Sequence, residues 1–200
     1  MNPLMSVKGA IITGFVLAIL FAVFAVSGGW NELGLARWLH IISGITWIGL
    51  LYYFNTVQIP ALAEAAADKG GPGGAGITKY VAPRALLWFR WSALATWLTG
   101  AWYLLRSGNF AGAFGLGLAA DEFSAYQFVI GTGAWLGTIM LFNVWALIWP
   151  NQKKVLGIVA ATDEEKAKAR KTALLASRTN FVLSIPMLMC MAGAMHGVAF

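Results

Sequence analysis

Charge is the scarcest commodity in this chain. Only 11% of its 200 residues are charged, against about 25% in a soluble domain. Too few polar heads remain to cover a water-facing sphere, which excludes a soluble globular enzyme and a disordered tail. A single cysteine excludes a disulfide scaffold. Alternation with period two is also missing, which excludes the strands of a membrane barrel. The formal net charge of +6 does not indicate a nucleic-acid partner, because the basic residues gather beside long apolar runs, where they set membrane orientation.

What is present is apolar. Hydrophobic residues make up 59% of the chain, ten of them Trp. A bilayer core requires about 20 apolar residues in a helix. Five stretches meet that need: residues 10–26, 35–59, 83–105, 125–149 and 172–198. The expected fold is an all-α integral membrane protein, a five-helix bundle forming one membrane unit over residues 1–200. Lys8 before the first stretch and Ala25-Val26-Ser27 after it resemble a signal peptide. The apolar run is longer than a signal core, so it reads as a retained helix.

Ten basic residues fall in segments on one side: Lys8, then Lys69, Lys79 and Arg84, then Lys153, Lys154, Lys166, Lys168, Arg170 and Lys171. The positive-inside rule places that side in the cytoplasm and the C-terminus in the periplasm of a bacterial inner membrane. Thr162-Asp163-Glu164-Glu165 has the pattern of a capped helix start. Gly133 and Gly137 form a GxxxG pair suited to close helix packing.

The chain has two histidines. His40 lies about five residues into the second stretch, which starts outside, and His196 lies near the end of the fifth, which finishes outside. Both imidazoles therefore sit at similar depth. Two neutral imidazoles facing each other across a helical bundle form the axial ligand set of a b haem. Gly44 and Gly193, each one turn from a histidine, leave room for a porphyrin plane. Arg37, one turn toward the aqueous edge, suits a propionate. A copper site built from the histidines with Met191 and Met195 is the other metal reading.

All eight carboxylates fall in loops, yet Arg90 and Arg178 fall inside spans. A guanidinium at that depth snorkels, meets polar groups or meets an anion from elsewhere. Asn55, Gln58, Asn143 and Asn180 lie at comparable depth. The spacing of His40, Gly44, Trp47, Leu51, Asn55 and Gln58 makes one helical stripe. The expectation is an inner site in which Arg90, Arg178, Asn55 and Asn143 bind an anion, a quinone-like headgroup or a lipid phosphate. Lipid anchoring is the plainer alternative.

The block Arg37-Trp38-Leu39-His40-Ile41-Ile42, with Gly44, Trp47-Ile48-Gly49 and Tyr52-Tyr53-Phe54-Asn55, resembles the N-terminal membrane domain of the membrane-bound urate hydroxylase family. Leu87-Trp88-Phe89-Arg90-Trp91, Leu98-Thr99-Gly100, Phe142-Asn143-Val144-Trp145, Ile148–Lys154 and Ser177-Arg178-Thr179-Asn180 are similar to it as well. The first block shares a shorter likeness with haem-dependent protoporphyrinogen oxidases and copper-resistance D proteins. The first resemblance implies a scaffold whose interior uses His40, Arg90, Asn143, Arg178 and His196. The second implies His40 as a haem ligand. The urate hydroxylase family carries a c-type cytochrome, and this chain contains no Cys-x-x-Cys-His. An electron partner would then be a separate cytochrome c or a quinone.

Together these readings point to a b-haem redox protein in the lipid bilayer, exchanging electrons with a separate partner, with oxidation of a small anionic or aromatic, urate-like substrate as its enzymatic form. An accessory subunit of a larger respiratory complex is the alternative. No nucleophile–base pair is in view for hydrolysis. No intramembrane carboxylate marks a transport path.

Overall fold

The computed structural model describes residues 2–25, 29, 31–118 and 122–198. Val26 and Ser27 of the cleavage-like triplet, and Asp121, lie outside them. Helix dominates and no strand occurs among the described residues. Eight α-helices follow in order: α1 Val7–Ala25, α2 Glu32–Tyr53, α3 Ile59–Ala67, α4 Ala82–Arg106, α5 Phe110–Phe114, α6 Ala125–Phe142, α7 Trp149–Val155 and α8 Asp163–His196. The chain divides into two compact units, Met1–Leu35 and Ala36–Phe200.

Three π-helical turns interrupt the helices. Phe54–Gln58 joins α2 to α3, Ile77–Val81 leads into α4, and Asn143–Ile148 joins α6 to α7. Four helical stretches are long and apolar enough to cross a membrane: Val7–Phe24, Glu32–Ala67, Ala125–Val155 and Asp163–His196. The remaining expected stretch, 83–105, corresponds to α4. It has 25 residues, but Arg84, Arg90 and Arg106 with the hydroxyls of Ser92, Thr96 and Thr99 dilute its apolar character. Within α1 the span window buries none of its residues.

The core of the second unit is layered. Trp47, Leu51 and Phe54 meet Leu86, Phe89 and Ala93 of α4, then Met140, Val144 and Ile148, and Ala176 and Met187 of α8. Phe54 and Phe89 pack edge to face with centroids 5.4 Å apart, a favoured aromatic arrangement. On α8, Ser177, Asn180, Ser184 and Met187 are buried. Their spacing of 3, 4 and 3 makes one inward stripe, and small polar residues permit close helix approach in an apolar surround. Gly133 contributes to the same closeness: a Cβ there would lie 3.1 Å from Cys190 Cβ and from Met191 Cε.

The start of α8 is the capping box expected from its sequence. The Glu165 amide donates to Thr162 Oγ1 at 3.2 Å, and the Thr162 amide donates to Glu165 Oε2 at 2.8 Å. The segment before α6 folds back rather than spreading out. Trp135 Nε1 donates to the Phe114 carbonyl at 3.1 Å, and a Cβ on Gly131 would strike the Ala113 carbonyl.

Candidate cofactor site

A cavity of about 800 Å³ opens within the second unit, between α2, α4, α6 and α8. Helix α2 supplies Arg37, His40, Gly44 and Trp47, while α8 supplies Met187, Met191, Met195 and His196. Both histidines of the chain therefore line one space. The methionines recur every fourth residue, so they form a thioether stripe beside His196.

His40 is the best-positioned side chain. Its Nδ1 lies 2.8 Å from the Thr96 carbonyl oxygen. A carbonyl only accepts, so Nδ1 carries the proton and Nε2 is left with its lone pair. The Thr99 hydroxyl also reaches that carbonyl, at 3.1 Å. The ring lies close against α4 because residue 100 is glycine. A Cβ there would stand 2.9 Å from both Nδ1 and Cε1 of His40. Gly100 thus makes room beside a histidine, a role that the sequence reading gave to other glycines.

Gly44 lines the cavity, and a Cβ there would meet only Thr96 Cγ2, at an ordinary 3.7 Å. Gly193 does not share that role. It is buried, and a Cβ on it would lie 3.2 Å from Val198 Cα, so it makes room for the chain that returns after α8 ends. Gly137, expected to be a packing residue with Gly133, faces open space and borders the cavity instead.

Two polar groups at the cavity suit an occupant. Arg37 Nη2 donates to the Tyr103 hydroxyl at 3.3 Å, and its guanidinium lies 5.3 Å from that ring's centroid. Trp47 is 2% exposed, and its indole N–H has no partner among the described residues. A buried donor without an acceptor is costly unless something else supplies one.

The inner polar groups do not assemble as the sequence suggested. Asn55 Nδ2 donates to the Leu51 carbonyl and to Ser177 Oγ, both at 2.9 Å. Asn143 Nδ2 donates to Asn180 Oδ1 at 2.8 Å, and Asn180 Nδ2 donates to the Met140 carbonyl at 2.9 Å. These amides hold the π turns, whose widened winding disturbs the ordinary backbone ladder. Among these amide side chains, the unpartnered buried atoms are Asn55 Oδ1 and Gln58 Oε1, which are acceptors and repel an anion. Arg178 is exposed, on the face of α8 away from the Ser177–Asn180 stripe. Arg90 lies over Trp149, 3.9 Å from the ring centroid. A single anion cluster of Arg90, Arg178, Asn55 and Asn143 is therefore not formed.

Among the described residues, no three His, Cys, Asp or Glu come together as a metal-binding group. The model of the urate oxidase N-terminal family matches residues 25–114 and 111–200, and the chain belongs to that family. No curated protein and no solved structure matches it.

Proposed function

We propose that this member of the urate oxidase N-terminal family is a membrane-embedded redox protein that holds one b haem in the α2/α4/α6/α8 cavity. The observation that carries the reading is the His40 tautomer: Nδ1–H is engaged by the Thr96 carbonyl, which leaves Nε2 as a Lewis base. A backbone carbonyl on the far nitrogen of a ligating imidazole fixes its orientation and raises its basicity.

The residues present fit the group. The volume of about 800 Å³ lies within the roughly 300–1,000 Å³ of small-molecule sites. His196 offers a second imidazole on the same space, Arg37 offers a charged fork for a propionate, and the orphaned Trp47 N–H offers a donor. His40 and His196 are the residues that would hold the group, and haem, when bound, would supply a one-electron couple. The chain's own part is to hold the ring nitrogens in register, to present Arg37 to carboxylate, and to keep water from the apolar wall.

In this reading the chain has five spans, with α4 counted among them. The N-terminus is cytoplasmic and the C-terminus periplasmic, following the basic inner segments. The membrane is the bacterial inner membrane, and the partner is a separate cytochrome c or a quinone. The family's name supports a small anionic, urate-like substrate. A second reading, an accessory subunit of a larger respiratory complex, is favoured by α1, whose apolar span window is unburied and needs lipid or a partner.

Visible spectra of the purified chain, oxidised and dithionite-reduced, with a pyridine haemochrome assay, test the proposal. A sharp reduced α band, about one haem b per chain, and its loss in both H40A and H196A are expected. A chain that stays colourless after haem supply during expression overturns it. Co-purification with a stoichiometric partner would then favour the accessory subunit.

A further inference from the structure

Away from the cavity, α4 and the α6–α7 arm enclose a second, open groove of about 430 Å³, lined only by apolar and aromatic side chains and the Thr138 hydroxyl. Trp91 and Trp145 form one end, in edge-to-face contact with centroids 5.4 Å apart. Trp97 and Thr138 bound the other end, joined by a 2.9 Å hydrogen bond from Nε1 to Oγ1. Between them the groove runs from Trp91 to Leu98, about 10 Å of helix. Leu98 and Phe142 on its rim are exposed, as lipid-facing residues are.

The Trp91/Trp145 end is where the charge sits. Arg90 adjoins Trp91, and Trp149 lies one turn beyond Trp145. The Arg90 guanidinium is 3.9 Å from the Trp149 ring centroid, and Lys153 Nζ is 5.9 Å from the same centroid. Neither cation pairs with a carboxylate among the described residues. The neighbouring Lys154 differs, since it lies near enough to Glu165 to act on that carboxylate. Two cations on one indole, one helical turn from the Trp145 end of an apolar slot, match a molecule with an anionic head and a hydrocarbon tail.

The geometry points to a phospholipid site on this face. The phosphodiester sits against Arg90 and Lys153, and one acyl chain lies in the groove between α4 and α6. The charge complementarity selects this occupant over a protein helix, whose backbone ends carry no comparable anion. The site is independent of the haem reading, because Trp97, at the end away from the cations, is the one residue that lines both the groove and the cofactor cavity.

The test uses the full chain, delipidated in a mild neutral detergent and titrated with dioleoylphosphatidylglycerol under native mass spectrometry. One tight adduct per chain is expected. Each cation beside a charged lipid head is worth roughly fivefold in binding, so R90Q/K153Q should weaken the adduct about 25-fold. L98W, which fills the slot from an exposed rim position, should weaken it without touching the cations. K153Q alone serves as a fold-safe variant, because Lys153 sits on the partly exposed α7, and should lose about fivefold. Binding within twofold of the parent in K153Q and L98W overturns the proposal. So does displacement of the lipid by millimolar inorganic phosphate, which would assign the cations to free phosphate.

Discussion

The imidazole of His40 and the backbone of Gly100 touch across two helices, with the ring where a side chain on residue 100 would be. The contact and the Nδ1–Thr96 hydrogen bond at 2.8 Å fix the ring from two directions, so neither its tilt nor its tautomer is free to vary.

G100A should therefore move the ring. Overpacking by one methyl costs about 1–3 kcal/mol, and the hydrogen bond to Thr96 must lengthen. The expected outcome is a lower thermal midpoint in detergent together with a shifted or broadened reduced α band. G44A is the control, since its methyl meets Thr96 Cγ2 at 3.7 Å and should leave the midpoint nearly unchanged.

Asn180 is fully buried and joins two bonds, to Asn143 and to the Met140 carbonyl. N180L removes both at once and strands their partners. Each stranded group costs about 1–3 kcal/mol, so the variant should be among the least stable single substitutions in the chain. Thermal unfolding followed by tryptophan fluorescence measures it. A loss no larger than that of an exposed α8 position such as Val182 would show that the amide network carries little.

The two glycines of the GxxxG pair should separate. G133A drives a methyl toward Cys190 and Met191, each 3.1 Å away, and should destabilise the α6–α8 contact. G137A meets nothing within 4 Å and should be tolerated by the fold, while narrowing the cavity that Gly137 borders. Parallel thermal midpoints and haem stoichiometries distinguish the two effects.

The start of α8 should respond to acid. The Thr162 amide, with Lys154 nearby, holds the Glu165 carboxyl below the ordinary carboxylate range. A group whose folded value is depressed contributes stability that is fully present above its unfolded value and is lost as pH falls through the folded one. Protection of the first-turn amides of α8, as exchange relative to the intrinsic rate at each pH, should therefore fall between about pH 5 and pH 3, and E165Q should remove that dependence. T162A, which deletes the N-cap acceptor, should fray the same turn by about 0.5–2 kcal/mol.

Much of this was legible beforehand because membranes impose few solutions. Apolar length located α1, α2, α6 and α8, and the stripe from His40 through Trp47 to Gln58 does face inward. The Thr162–Glu165 box was readable because capping depends on four adjacent residues. What failed was long-range assignment of polar groups. Asn55 and Asn143 look like ligand donors in a sequence, but each is spent on helix winding and on a serine or asparagine of α8. Gly193 looks like a space for a cofactor, but it makes space for the chain's own return. Gly100 stood out only within the block Leu98-Thr99-Gly100; its contact with His40, 60 positions away, has no periodicity to reveal it.

The π turns carry a consequence for the length of this chain. A π turn is a helix that holds one residue more than α winding would need. Deleting one residue of Asn143–Ile148 would therefore leave ordinary helix with the flanking faces still in register, so Trp149 would stay over Arg90. The same deletion within the regular winding of α6 would rotate everything beyond it by about 100°. The π turns are thus the places where this chain can lose a residue without re-aiming a helical arm.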